Sequence, residues 1–204
     1  MNQTDKTRLL EQVQVLFNRA GGITELSEND LITGLGLTPD AFQAAFQNKE
    51  EFLVQATRYD LERQKREHQQ LLAPLGSPVE RILALLKHGI AEMQRAPKTD
   101  YVALQQECPR VWEVLLLHLS TYSTPQIHGL LNEGVLQRQF RGDINIGLVT
   151  KIILEQMQLI LNTAVFPPSR YNLAEVFRSI YLYYIRGICT DEGIRLAAAH
   201  FARI

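Results

Sequence analysis

Residues Gly36 to Phe52 read GLTPDAFQAAFQNKEEF. Gly36 breaks whatever helix precedes it. Thr38 suits an N-cap, because its hydroxyl oxygen can accept a free amide hydrogen. Pro39 suits the first helical position, where no amide hydrogen is needed. Phe42, Ala45 and Phe46 then share one helical face. Gln47 ends that helix. Asn48, with Glu51 three residues on, has the capping-box pattern of a new helix. The stretch therefore predicts a short helix followed at once by a second. The second runs through Phe52, Ala56, Tyr59 and Arg63 to about Leu72.

Upstream, Leu9, Val13, Leu16, Phe17 and Ala20 recur at three- and four-residue steps and predict a first helix, stopped by Gly21 and Gly22. Ser27 can cap a short helix whose buried side is Leu31, Ile32 and Leu35. A short helix, a glycine turn at Gly36 and another short helix make a helix-turn-helix.

Downstream, APLGSPVE (Ala73 to Glu80) is the clearest punctuation, with two prolines and a glycine. Ser77, Pro78 and Glu80 carry a full capping-box pattern. Helices are predicted over about Val79–Arg95, Thr99–Glu107, Pro109–Tyr122 and Thr124–Gln137. Three more follow, in LVTKIILEQMQLILNTAV, in LAEVFRSIYLYYIRGI after an Asn172 cap, and in the closing TDEGIRLAAAHFARI. In the loop FRGDIN, Asp143 or Asn145 can cap the helix that follows. The β-branched residues all sit inside helical patterns, so the fold class is all-α with about ten helices.

The totals narrow the function. The chain has 204 residues, 21 basic and 22 acidic. That is enough for a sizeable core, without the overall basic excess of many nucleic-acid binders. Cys108 and Cys189 form no CxxC pair and read as two reduced thiols. The polar N-terminus MNQTDKTRLLEQ lacks the apolar run of a signal peptide, and no segment reads as a membrane span. A cytoplasmic protein with no membrane partner is expected. The histidines, His68, His88, His118, His128 and His200, show no metal-ligand spacing, and no nucleophile or phosphate-loop motif is present. No catalytic residue, metal or cofactor is expected, and the chain does not read as an enzyme.

This arrangement resembles the TetR/AcrR family of tetracycline-repressor-type transcriptional regulators. Family members typically run A-G-V-S-K-G-T-L-Y-Y-H-F-x-[SN]-K-E-E-L through the recognition helix. Gly36 to Phe52 keeps that frame without a gap. PRVWE (Pro109–Glu113), FRGDIN (Phe140–Asn145) and the stretch Phe166–Ile188 resemble one subgroup of the family. The resemblance implies a helix-turn-helix head over residues 1–50 and a connecting helix over about 48–72. It implies ligand binding and dimerisation by residues 51–204. It also implies a homodimer, paired through C-terminal helices, that sets its recognition helices into double-stranded DNA. A small-molecule effector would release the operator.

Carried over residue by residue, the DNA contacts are thin. Thr38 keeps the hydroxyl at the start of the recognition helix, and Lys49 keeps the lysine opening the next one. Gln43 keeps hydrogen-bonding ability and can read an adenine edge. Pro39 replaces the usual basic residue, and Asp40 sets a negative charge at the tip. Ala41, Ala44 and Ala45 remove a hydroxyl, an aromatic ring and a histidine. Over Met1–Glu51 the cations are Lys6, Arg8, Arg19 and Lys49. The anions are Asp5, Glu11, Glu25, Glu28, Asp30, Asp40, Glu50 and Glu51, for a net charge of −4. Affinity for DNA rests largely on neutralising phosphates, so weak non-specific binding is expected. Arg58, Arg63, Lys65 and Arg66 read as a solvated face of the long helix.

The resemblance places a ligand among the middle helices of the second domain. Met93, Trp112, His118 and Tyr122 are the candidates there, alongside His88 and Tyr101. His118 and Tyr122, four apart, would share a helix face as a pocket wall. Leu148, Ile152, Glu155, Leu159 and Asn162 form one stripe of a two-sided helix. Ile153, Met157, Ile160 and Ala164 form the other. That helix and the one after Asn172 are the expected dimer elements. Two functions stand open. One is a ligand-responsive dimeric DNA-binding regulator. The other is a protein of the same fold that has lost operator binding and serves as a small-molecule or protein-binding module.

Overall fold

The computed structural model describes residues 3–20, 24–95, 101–162, 164–167 and 169–198. The described elements are α1 (Gln3–Ala20), α2 (Glu28–Gly34), α3 (Pro39–Phe46), α4 (Lys49–Leu72), α5 (Pro78–Arg95), α6 (Tyr101–Glu107), α7 (Pro109–His118), α8 (Thr124–Leu136), α9 (Ile146–Leu161), α10 (Leu173–Ile188) and α11 (Asp191–Leu196). Leu119–Ser123, between α7 and α8, winds as a π-helix. The fold is all-α; among the described residues the one extended pairing is a bridge between Phe140 and Cys189. The expected Gly21–Gly22 stop lies outside the described residues.

The chain forms two compact units. The first takes residues up to Gln64 together with α6 and α7. The second takes Lys65–Arg95 and the chain from Leu119 onward. The division therefore falls inside α4. The Ala73–Glu80 punctuation separates two helices of the second unit.

In the first unit, Ser27 starts α2 by accepting the Asp30 amide, and Asp30 completes the box. Gly36 takes φ +66°, the left-handed conformation that lets the chain leave α2 and re-enter a helix three residues later. Thr38 caps α3 through the Ala41 amide, with Pro39 at the first position. Phe42 and Phe46 are buried in one core with Val13, Leu16, Phe17 and Leu31. Phe52 from α4 joins them, its ring edge-on to Phe46 at 4.8 Å. Each such ring contributes about 1.5–3 kcal/mol by burial. Leu104, Cys108 and Val111 complete this core. They come from the α6–α7 corner, which no local pattern ties to the head.

The second unit is built around Tyr181, Phe177 and Ile185 of α10, packed on Val79, Leu83, Leu131, Phe140 and Ile153. The Tyr181 hydroxyl donates to the Ile153 carbonyl, which joins α10 to α9. Asn145 caps α9 and Asn172 caps α10. Asp143 instead pairs with Arg141.

The start of α5 is held from a distant segment. The buried Gln139 Oε1 accepts both the Ser77 hydroxyl at 2.7 Å and the Val79 amide at 3.1 Å. The Gln139 carbonyl accepts the Thr190 amide at 3.0 Å, which ties in the turn before α11. Gly193 lies so close to that carbonyl that a Cβ there would stand 2.1 Å from the oxygen. Only hydrogen fits at such a separation.

Candidate nucleic-acid interface and the polar cluster of the second unit

Helix α3, the expected recognition helix, buries Phe42 and Phe46 and turns the opposite face to solvent. Thr38, Pro39, Asp40, Ala41, Gln43 and Ala44 are exposed there, and Ala45 is half-buried. The Thr38 oxygen already accepts the Ala41 amide at 3.2 Å, so its O–H remains the group that can meet a phosphate. Gln43 presents a free-standing carboxamide to solvent. Lys49 is half-buried at the start of α4, and its backbone amide donates to Glu28 Oε2 at 2.8 Å. A carboxylate thus occupies an amide that could otherwise meet a phosphate. Nothing in the spacing of Glu28 and Lys49, 21 residues apart, signals this contact.

Two further cations of the region are engaged locally. The Lys6 ammonium lies 5.2 Å from the Phe46 ring centroid, and Arg63 pairs with Asp60 at 2.6 Å. Arg58 and Arg66 are exposed, in keeping with a solvated face. Asp30, held by hydrogen bonds from Ser27, has its carboxyl pulled below the ordinary value of 3.8. The surface therefore keeps an anion at both helix starts.

At the start of α4, Arg110 from α7 reaches Glu51 at 2.8 Å and Glu50 at 4.0 Å. Hydrogen bonds from Gln55 and then Arg110 hold the Glu51 carboxyl below its usual range. Cys108, beside this pair, is buried, and desolvation raises its thiol. Cys189 is pushed up to about 12 by the same cause. Both thiols are thus poor nucleophiles.

The candidate ligand residues are divided between the two units. Trp112 is half-buried on α7 and His118 closes that helix; both belong to the first unit. Tyr122 lies in the π segment and belongs to the second. The π register begins directly after His118. The four-residue spacing of His118 and Tyr122 keeps them near one face through this wider turn. The side chains of Met93 and Tyr101 lie outside the described residues.

Within the second unit Tyr122 meets a different histidine. Its hydroxyl stands 3.2 Å from His68 Nδ1 and accepts Gln126 Nε2 at 3.0 Å. The Lys65 ammonium lies 5.5 Å from the Tyr122 ring centroid. His88 Nε2 is 3.3 Å from Glu67 Oε2, and the His68 and His88 rings meet edge-on at 5.0 Å. His88 Nδ1 is buried with no hydrogen-bond partner. His68 and Glu67 came from a helix read only as a solvated face. Among the described residues no group of three or more His, Cys, Asp or Glu is placed to hold a metal ion.

Solved structures match this architecture along nearly the whole chain. A TetR-family transcriptional regulator from Agrobacterium tumefaciens has a TM-score of 0.73 at 16% identity, covering 92% of this chain and 99% of its own. The fold is TetR-like. A TetR-family regulator from Cytophaga hutchinsonii has a TM-score of 0.67 at 18% identity, covering 93% and 96%. The regulator FadR from Bacillus subtilis, solved in complex with stearoyl-CoA, has a TM-score of 0.62 at 14% identity, covering 89% and 98%. No family model and no curated protein matches the sequence. The helix-turn-helix read from Gly36–Phe52 is thus set in the TetR-like fold that the sequence predicted. Among the described residues no helix is long and apolar enough to cross a membrane.

Proposed function

We propose that this chain is a DNA-binding transcriptional regulator of the TetR type, active as a homodimer and released from its operator by a small molecule. The observation that carries the reading is the exposed face of α3, built on a buried Phe42–Phe46–Phe52 core inside a TetR-like fold. Thr38 positions the helix on a phosphate, Gln43 reads a base edge and Lys49 adds a charge. The head spans residues 1–50, and the ligand and dimer functions lie in residues 51–204.

The dimer reading rests on α9 and α10. Ile153 and Ile160 of α9 are buried, whereas Leu148 and Leu159 are 56% and 44% exposed. Tyr183 of α10 is 72% exposed. The two stripes of α9 thus divide into a core side and a bare apolar side, which a second copy can cover. Ala164 departs from its stripe: it lies in the turn after α9 and is exposed. For the effector, Tyr122 with His68, His88 and Gln126 is the best-supported contact set, with Trp112 and His118 as the other candidates.

A binding selection from genomic DNA at low and moderate salt tests the reading. Enrichment of one inverted-repeat sequence is expected; no enrichment even at low salt overturns it. The Glu28 carboxylate on the Lys49 amide favours a second reading, in which the fold has given up its operator and binds a small molecule or a protein. Failed selection combined with ligand-induced thermal stabilisation would support that one.

A further inference from the structure

Glu51 is the third residue of α4, the position from which a capping-box carboxylate turns back onto the N-cap amide. Half of that box is made: the Glu51 amide donates to Asn48 Oδ1 at 2.8 Å. The return half has other partners. The Glu51 carboxylate accepts Arg110 Nη2 at 2.8 Å and Gln55 Nε2 at 2.9 Å. The Asn48 amide donates instead to the Phe46 carbonyl at 2.8 Å. That bond closes a three-residue turn about Gln47, whose φ and ψ are 66° and −50°. This is close to the uncommon, strained form of the γ-turn, with φ near about +75° and ψ near about −65°. Gln47 is not a glycine, so the left-handed conformation carries steric cost.

Arg110 has no local reason for its place. It is the second residue of α7, where a cation opposes the helix dipole. What recommends the position is reach. Cys108 and Val111, on either side, are buried in the head core and fix the corner from which Arg110 extends to Glu51 and Glu50. The Asn48 amide thus has two competing acceptors, the Phe46 carbonyl and the Glu51 carboxylate. Arg110 occupies Glu51 Oε2, and Gln55 occupies Oε1.

We propose that Arg110 is a positioning residue for the recognition helix: by holding the Glu51 carboxylate off the Asn48 amide, it keeps the α3–α4 connection in its strained left-handed turn. When Arg110 lets go, Glu51 completes the capping box and Gln47 relaxes to negative φ. The exchange is balanced, since the Asn48 amide trades one acceptor for another and Arg110 passes to water. Gln47 is the C-cap of α3, so its φ sets the angle at which the recognition helix joins α4. The effect on Thr38 and Gln43 as DNA contacts rests on the DNA-binding reading; the turn itself does not.

The test measures the Gln47 φ by NMR couplings in the full chain. Wild type and R110K should show positive φ, since both keep a cation near Glu51. R110M and E51Q should show negative φ; the E51Q amide can still complete a capping box but no longer pairs with Arg110. A second readout is Q47G. Glycine tolerates the left-handed turn, so Q47G should raise the folding equilibrium constant roughly two- to fivefold in wild type. In the R110M background it should raise it not at all. Positive φ in R110M and E51Q, or an equal Q47G gain in both backgrounds, overturns the proposal. Duplex titration of the same proteins separates the two readings. Loss of duplex binding everywhere with the φ pattern intact sinks only the DNA reading. Duplex binding with an unmoved φ sinks only this one.

Discussion

Replacing Gln139 with leucine should destabilise the second unit by about 2–4 kcal/mol. The swap conserves most of the volume, so packing changes alone would cost less than about 1.5 kcal/mol. The larger loss is polar. Gln139 Oε1 accepts the Val79 amide at 3.1 Å, and Val79 is fully buried. A buried amide left without a partner costs about 1–3 kcal/mol. The same oxygen accepts the Ser77 hydroxyl at 2.7 Å. That hydroxyl is half-buried and can turn to water, so its share is a typical net hydrogen bond of about 0.5–1.5 kcal/mol. For a chain of this length the sum lowers Tm by roughly 4–16 °C. Ser77→Ala alone should cost only the smaller share. Thermal and urea unfolding of both variants gives the magnitudes, and amide hydrogen exchange at Val79 locates the loss. A Gln139→Leu protein within 0.5 kcal/mol of wild type, with Val79 still protected, would refute the reasoning.

Three further outcomes are expected. Leu148→Glu combined with Tyr183→Arg should turn a dimer into a monomer in light scattering at micromolar concentration while helix content stays unchanged; a mass that does not move places the interface elsewhere. Glu28→Ala frees the Lys49 amide and removes a negative charge beside it, so duplex affinity at fixed salt should rise. Unchanged affinity shows that the amide meets no phosphate. The Asp30 carboxyl is lowered below 3.8 by its bonds from Ser27. Its stabilisation of α2 is therefore complete above pH 3.8 and lost as pH falls through the lower folded value. In Asp30→Asn that acid limb should vanish from a two-dimensional NMR pH titration of the α2 amides.

Much of the head was legible because its determinants are local. Phe42 and Phe46 are four apart and land on one face, Thr38 caps within three residues, and Gly36 turns the chain where left-handed backbone is required. Val13, Leu16, Phe17 and Leu31 lie on the apolar faces that the same period picks out. The ligand candidates fared differently. A spacing of four names neighbours only within one helix, and the segment Leu119–Ser123 carries Tyr122 out of α7. Tyr122 is placed beside His68, 54 residues earlier, where no sequence period can reach.

The sequence alone thus determined the all-α class, the helix-turn-helix frame and the caps of α2, α3 and α10, since each depends on side chains within a turn of one another. Tertiary structure alone decided the polar contacts between distant segments. Glu28 on the Lys49 amide, Arg110 on Glu51 and Gln139 on the start of α5 span 21, 59 and 60 residues. Contacts at such separations arise only when the packed core brings distant segments together. The left-handed turn at Gln47 belongs with them: glutamine has no preference for that conformation, and only the bonds around it hold it there.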